Sequence, residues 1–219
     1  MKRNYIKKGN IELEFLLGYA VLSYEGILLS KGQGLYSSIY HDNIWYDSRF
    51  ATWQILDSSK DSISLYGEWT NLPHRQSWNF KFKEDKLFWT LKWDNLDKLK
   101  LDMIQQNFML IDDYTNFIVK NYVQGKFPEY FSNFKGLLWD RIWSMPQTKD
   151  SHITFKSLNS VIPDLTWTSS LTKKDTLYVV ENTDFESSAR VLQLLFVNTE
   201  DGLMEENYSM QLESVLKIG

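Results

Sequence analysis

Apolar and polar residues alternate with a two-residue period over much of this chain, and no other feature constrains its fold as strongly. The clearest run covers residues 77–93, where apolar side chains stand at every second position on both sides of a short polar turn, residues 84–86: Trp78, Phe80, Phe82, Leu87, Trp89, Leu91 and Trp93. Side chains two residues apart lie on the same face of a strand. Two such runs around a tight turn predict a β-hairpin with one buried and one solvent-exposed face.

Further segments of the same or similar extended character lie before and after this hairpin. They are residues 11–17, 51–55, 63–65, 99–103, 153–155, 165–167 and 177–180. Residues 191–197 are apolar at every position except Gln193, which predicts a strand in a central position. Strands at regular spacing with few helices between them are typical of an antiparallel sandwich.

Helix signals are few. Asp112 and Asp113 are typical capping residues, and they predict a short helix through residues 114–118. A second short turn is expected at residues 137–139. The sequence therefore predicts an all-β fold, a large antiparallel β-sandwich with a few short helices.

The chain of 219 residues has the length of one large sandwich, and no linker rich in Pro, Gly or Ser divides it. We expect a single domain over residues 1–219, with an irregular excursion around residues 121–150. The absence of cysteine excludes disulfides and zinc–thiolate sites. A net charge of −4 argues against nucleic-acid binding. No apolar run approaches the roughly 18 residues of a membrane span, and no secretory signal pattern is visible, so a cytoplasmic protein is expected.

Aromatic residues make up 16% of the chain, and one segment combines them with polar groups. Between Trp69 and Trp78 lie His74, Arg75 and Gln76. A pyranose ring has a polar rim and patches of C–H surface, so its sites combine flat aromatic faces with planar hydrogen-bonding groups. The segment is therefore a candidate carbohydrate site. The alternative is that both tryptophans belong to the core.

Other candidates lie further along the chain. The amides of Gln105 and Asn107 follow an alternating strand, and a buried amide requires hydrogen-bond partners, which a hydroxylated ligand or the backbone can supply. Arg141 and Trp143 lie in the irregular excursion, where they either close over a site or form an ion pair with Asp140 and a stack on the sheet. Three scattered histidines form no local metal motif, and neither a metal nor a cofactor is expected.

Four segments resemble galactose-mutarotase-like β-supersandwich domains: Tyr66–Trp69, Gln76–Phe80, Leu87–Leu91 and Gln105–Leu110. The resemblance covers residues 15–120 and implies an antiparallel sandwich with a concave face that binds carbohydrate. Aldose epimerases of this group use a His acid and a Glu base, which by analogy would be His74 and Glu181. The residues around these two do not match the epimerase pattern, so the resemblance supports sugar recognition more than catalysis.

The sequence thus favours a carbohydrate-binding sandwich with a sugar or glycan on an aromatic and amide-lined face. A sugar-active enzyme, either an aldose epimerase or a lyase-like protein, is one alternative. A non-catalytic sandwich that binds another protein through its aromatic residues is the other. A homodimer, or a glycan-processing partner protein, is compatible with the first hypothesis.

Overall fold

The computed structural model describes residues 4–128, 139–146, 152–170, 176–184, 188–197, 203–204 and 209–219. Nearly all of these residues lie in β-strands or the turns between them, apart from a 3₁₀ helix, η1, at Ser48–Phe50. The strands are β1 (Tyr5–Lys8), β2 (Ile11–Leu16), β3 (Tyr19–Tyr24), β4 (Ile27–Leu28), β5 (Ser30–His41), β6 (Ile44–Asp47), β7 (Thr52–Ser58), β8 (Ser62–Trp69), β9 (Leu72–Lys83), β10 (Lys86–Asn95), β11 (Leu99–Lys100), β12 (Met103–Leu110), β13 (Tyr114–Val119), β14 (Val123–Lys126), β15 (Trp139–Pro146), β16 (His152–Ser157), β17 (Leu165–Ser169), β18 (Thr176–Thr183), β19 (Ala189–Val197), β20 (Leu203–Met204) and β21 (Ser209–Ile218). The prediction of an all-β fold is confirmed.

Two large antiparallel sheets pack face to face. In the described part of the chain the first sheet has the order β1-β2-β3-β5-β12-β19-β18-β15, with β4 joined to β3 and β6 joined to β5. The second sheet has the order β14-β13-β16-β17-β21-β10-β9-β8-β7. The apolar strand β19 lies between β12 and β18, as its composition predicts. A small pair, β11 and β20, stands apart from both sheets.

The predicted hairpin is confirmed as β9 and β10. Its closing pair is Lys83 and Lys86, and Glu84 in the turn has φ of 57°. The alternating apolar side chains of both strands are buried in the core between the sheets. The polar side chains between them lie on the outer face of the second sheet, as the period requires.

Aromatic rings fill much of this core. Trp78 lies at the centre of a cluster, with its ring centroid 4.5 Å from that of Trp53, 5.1 Å from Trp89 and 5.9 Å from Phe80. The Trp89 ring in turn meets Trp167 edge to face at 6.3 Å. Edge-to-face pairs of this kind contribute about 0.5–1.5 kcal/mol beyond the area that they bury. Much of the aromatic content therefore stabilises the sandwich.

The helix predicted after Asp112 is wrong. Asp112 and Asp113 form a turn, and residues 114–119 form strand β13, which pairs with β16. Phe117 and Val119, two residues apart, are both buried, so the extended period prevails over the capping signal.

The excursion expected at residues 121–150 is in part regular structure. It contains β14 at one edge of the second sheet and β15 at one edge of the first. The turn expected at residues 137–139 falls partly outside the described residues, and Trp139 begins β15. Within the described ranges, no helix is long and apolar enough to cross a membrane.

Candidate functional site

A cavity of about 440 Å³ opens on the outer face of the first sheet, the face turned away from the core. Its volume lies within the range of about 300–1,000 Å³ that small-molecule pockets occupy. Side chains from five neighbouring strands and from the segment 45–49 surround it: Gln33, Tyr36, Ser38, Trp45, Asp47, Arg49, Met103, Gln105, Trp139, Arg141, Glu181, Gln193 and Leu195.

Strand alternation places these side chains on one face. In β5, Leu35 and Ile39 belong to the core, so Tyr36 and Ser38 between them point outward. The register then aligns the outward residues in rows across the sheet. One row contains Tyr36, Asn107 and Gln193, and the next contains Ser38, Gln105 and Leu195.

The floor of the cavity is polar and buried. Each of four polar side chains that line it is less than a tenth exposed: Gln33, Ser38, Glu181 and Gln193. Asn107, in the adjoining row, is also buried. The Asn107 amide donates to Gln105 Oε1 at 3.4 Å, whereas the Gln33 and Asn107 amide oxygens have no donor among the described residues. Buried polar groups in proteins are nearly always hydrogen-bonded. A floor of this composition suits a hydroxylated ligand.

Glu181 and Arg141 form a charged pair at one side of the cavity. Arg141 Nε donates to Glu181 Oε1 at 3.2 Å across the pairing of β15 with β18. A register shift between Arg141 and Trp143 interrupts that pairing immediately afterwards. Burial raises the pKa of the Glu181 carboxyl, and the hydrogen bond and charge of Arg141 oppose that rise. The site thus holds a carboxyl group whose pKa lies above its ordinary value, a property that favours proton transfer.

Two tryptophans form walls of the cavity. Trp45 is 46% exposed, and its ring lies 4.8 Å from that of Tyr40 on the neighbouring strand. Trp139 is half-buried and packs against a small apolar cluster that includes Tyr36 and Val191. Both indoles can therefore offer a flat face to a ligand above the polar floor.

The segment from Asp47 to Phe50 is fixed from below by the second sheet. The Trp69 indole donates to the Asp47 carbonyl oxygen at 3.1 Å, and the Trp53 indole donates to the Ser48 carbonyl oxygen at 2.7 Å. The Asp47 carboxylate accepts a hydrogen bond of 2.6 Å from the Ser38 hydroxyl. These bonds position Asp47 and Arg49 at the rim of the cavity.

Of the residues predicted from the sequence, the structure brings three to the cavity. Gln105, Arg141 and Glu181 line it, and Asn107 lies beside Gln105 in the adjoining row. Arg141 was expected to pair with Asp140, but its Nε hydrogen bond goes to Glu181.

Four other predicted residues lie in the core instead. Trp69, His74, Gln76 and Trp78 are buried there because they share the inward face of β8 or β9 with apolar residues. His74 Nδ1 is 2.9 Å from Asn95 Oδ1, and burial lowers the pKa of the imidazole to about 4. The first sheet separates this histidine from Glu181, so the two side chains do not meet.

The last two predicted residues point elsewhere. Arg75 lies on the outer face of the second sheet, where its Nε donates to Glu68 Oε1 at 2.6 Å and its guanidinium lies over the Tyr66 ring. Trp143 is half-buried against the core, with its ring 6.4 Å from that of Phe117.

Many residues of the cavity were not among those predicted from the sequence. Trp45 and Asp47 belong to a polar and aromatic stretch between strands, and Gln193 is the polar residue in an otherwise apolar run, so both signals were visible in the sequence. Gln33, Tyr36, Ser38 and Arg49 carried no comparable signal. Among the described residues, no three His, Asp or Glu side chains come together as a metal site would require.

Solved structures with the same fold are numerous. An Escherichia coli K12 protein, provisionally assigned as an aldose 1-epimerase, superposes with a TM-score of 0.66 at 12% identity, and the match covers 98% of each chain. A galactose mutarotase-like protein from Lactobacillus casei gives a TM-score of 0.62 at 9% identity, over 98% of this chain and 99% of that one.

An α-N-acetylgalactosaminidase from Bifidobacterium bifidum, solved as a GalNAc complex, gives a TM-score of 0.60 at 10% identity. That match covers 98% of this chain and 36% of the larger enzyme. Neither a protein-family model nor a curated protein sequence matches the chain. At these identities the shared feature is the fold: the chain has the β-sandwich fold of the galactose mutarotase-like and aldose 1-epimerase structures.

Proposed function

We propose that this chain binds a carbohydrate in the cavity on the outer face of the first sheet. The observation that carries the proposal is the composition of that cavity, a buried floor of amide, hydroxyl and carboxyl groups between the walls formed by Trp45 and Trp139. An apolar molecule would leave the polar groups of the floor without hydrogen-bond partners. An inorganic ion would make no stacking contact with the two indoles. A pyranose matches both surfaces.

Each part of the cavity has a role in this proposal. The amides of Gln33, Gln105 and Gln193 donate to and accept from ring hydroxyls. Glu181 and Arg141 bind adjacent hydroxyls, because a carboxylate accepts and a guanidinium donates in charge-assisted hydrogen bonds. Trp45 stacks on a C–H face of the sugar. The similarity in fold to sugar-active proteins supports this ligand class.

A thermal-shift screen of the full chain against monosaccharides and oligosaccharides tests the proposal, with tryptophan fluorescence followed in parallel. A ligand tenfold above its Kd should raise the melting temperature by about 3–6 °C. Glu181→Gln should reduce the shift, while Glu68→Gln, which alters the Glu68–Arg75 pair on the second sheet, should not. No response across the panel into the millimolar range would contradict the proposal and favour a protein partner.

A sugar-active enzyme is the second candidate, and the raised pKa of Glu181 is the observation that favours it. A base there could take the proton of an anomeric hydroxyl. The acid that the resemblance assigns to His74 has no place in the cavity, since His74 is fully buried in the core. Polarimetry of fresh α-D-glucose and α-D-galactose tests this candidate: it predicts accelerated mutarotation that Glu181→Gln abolishes.

A further inference from the structure

An apolar surface adjoins the cavity and takes no part in the site proposed above. It consists of Leu17, in the turn between β2 and β3, and Phe50, the last residue of η1. Their side chains are 82% and 67% exposed, respectively. We call these two residues the apolar lip.

The apolar lip projects from a contact that the fold fixes on both sides. The Ser48 hydroxyl donates to the Gly18 carbonyl oxygen at 2.5 Å, and a Cβ added to Gly18 would overlap the Ser48 carbonyl group. That same carbonyl oxygen accepts the hydrogen bond of 2.7 Å from the Trp53 indole. Because the neighbouring backbone is held in this way, the exposure of Phe50 is a property of the fold.

Leu17 has a backbone conformation that leucine disfavours. Its φ of 43° lies in the left-handed region, where tight turns between strands prefer asparagine, aspartate or glycine. The exposed side chain gains no burial that would offset this cost. Residues in disfavoured conformations are found more often at functional sites than elsewhere.

Arg49 connects the apolar lip to the cavity. Its side chain lines the cavity, and its guanidinium carbon lies 4.8 Å from the centroid of the Phe50 ring. Phe50 therefore lies next to a residue of the cavity wall, on the side of Arg49 that faces away from the sandwich core. The Arg49 guanidinium lies over the Phe50 ring, and most of the Phe50 side chain is exposed to solvent. The exposed part of the ring can therefore stack against a ligand.

We propose that the apolar lip is a second sugar subsite, and that the ligand is a glycoside or an oligosaccharide rather than a free monosaccharide. This inference rests on the proposed carbohydrate site. One pyranose occupies the cavity, and the C–H face of the next ring, or of an apolar aglycone, stacks on Phe50. Leu17 lies in the neighbouring turn, next to Gly18, whose carbonyl oxygen accepts the Ser48 hydrogen bond.

Calorimetric titration of the full chain with matched ligands tests the inference. The probes are glucose and galactose, their methyl glycosides, and the disaccharides maltose, cellobiose and lactose. For the sugar that fits the cavity, the disaccharide should bind roughly five- to tenfold more tightly than the methyl glycoside. Phe50→Ala should remove that preference and leave the Kd of the methyl glycoside unchanged.

Two variants serve as matched controls. Tyr122→Ala and Leu158→Asn change side chains that are 58% and 82% exposed in the turns after β13 and β16 of the second sheet, and neither should alter any Kd. Leu17→Asn should weaken the disaccharide alone, with no loss of thermal stability. If the methyl glycoside and the disaccharide bind with equal Kd, or if Phe50→Ala still prefers the disaccharide, the second subsite is ruled out. The proposal that the cavity binds a sugar is then unaffected. If no saccharide binds at all, both proposals fall.

Discussion

Arg141 and Glu181 form an ion pair in which the two partners differ sharply in their exposure to solvent. The distance from Arg141 Nε to Glu181 Oε1 is 3.2 Å, the glutamate side chain is 7% exposed and the arginine side chain is 57% exposed. The carboxyl group is therefore held in a nearly dry environment by a cation that remains in contact with water. Such a carboxyl is sensitive both to its partner and to any ligand that covers it.

Removal of the arginine should raise the pKa of Glu181 further. Burial raises the Glu181 pKa, and the hydrogen bond and charge of Arg141 lower it. Arg141→Met removes the two effects that lower the pKa and keeps the effect of burial. Titration of the Glu181 side-chain carbon by NMR should show the shift. Arg75→Met is the matched control, because Arg75 pairs with Glu68 on the other sheet, and it should leave the Glu181 pKa unchanged. An unchanged or lowered pKa in Arg141→Met would contradict this view of the pair.

Trp45→Ala should weaken sugar binding by about tenfold or more with little change in stability. The indole is half exposed, so its removal costs the fold little buried area, whereas the ligand loses its stacking surface. Calorimetry gives the affinity, and thermal unfolding checks the stability. Normal affinity in Trp45→Ala would remove this wall from the site.

Trp78→Phe should lower the stability of the fold and leave sugar affinity almost unchanged, the reverse of Trp45→Ala. Trp78 is buried among aromatic rings of the core, and the smaller ring leaves a gap there. A loss of about 1–3 kcal/mol in the free energy of unfolding is expected, with the sugar Kd changed less than twofold. A large loss of affinity with unchanged stability would restore Trp78 as a ligand-facing residue.

His74 should make the protein less stable in acid. Because the pKa of the folded imidazole is about 4, below its ordinary value of 6.5, the unfolded chain takes up a proton between these values and the folded chain does not. Stability should therefore fall by about 3 kcal/mol as the pH drops from 6.5 to 4, and this contribution should be constant above that window. Urea unfolding across the window measures it.

The variant His74→Gln isolates this effect from the titration of the carboxylates. Its stability relative to the natural chain should improve steadily as the pH falls from 6.5 to 4. A constant difference between the two proteins over that range would show that His74 is not responsible for the acid sensitivity.

The alternation of apolar and polar residues predicted the fold well. The same two-residue period also indicates that several of the predicted site residues face the core. In β9 the side chains of Leu72, His74, Gln76, Trp78 and Phe80 all face inward, because they share one parity. Because the apolar residues on that face are buried in the core, His74 and Gln76 are buried with them. Local richness in polar and aromatic residues was a weaker guide than the period.

The cavity itself could be predicted only in part. Its residues come from strands as distant in sequence as β5 and β19, which both pair with β12 and lie on either side of it. Strand order and register arise from packing across the whole sheet, and a single sequence does not specify them. Gln105, Arg141 and Glu181 were found individually because each is a polar group in an apolar or aromatic setting. The homodimer, the glycan-processing partner and the cytoplasmic location stay predictions.

The nine tryptophans allow one direct test of the central claim, that sugar binds on the outer face of the first sheet. Labelling of the indole nitrogens gives one NMR signal for each tryptophan. At saturation with a sugar that shifts the melting temperature, the signals of Trp45 and Trp139 should move, and those of Trp78, Trp89 and Trp167 in the core should not. Unmoved Trp45 and Trp139 signals at saturation would contradict the claim.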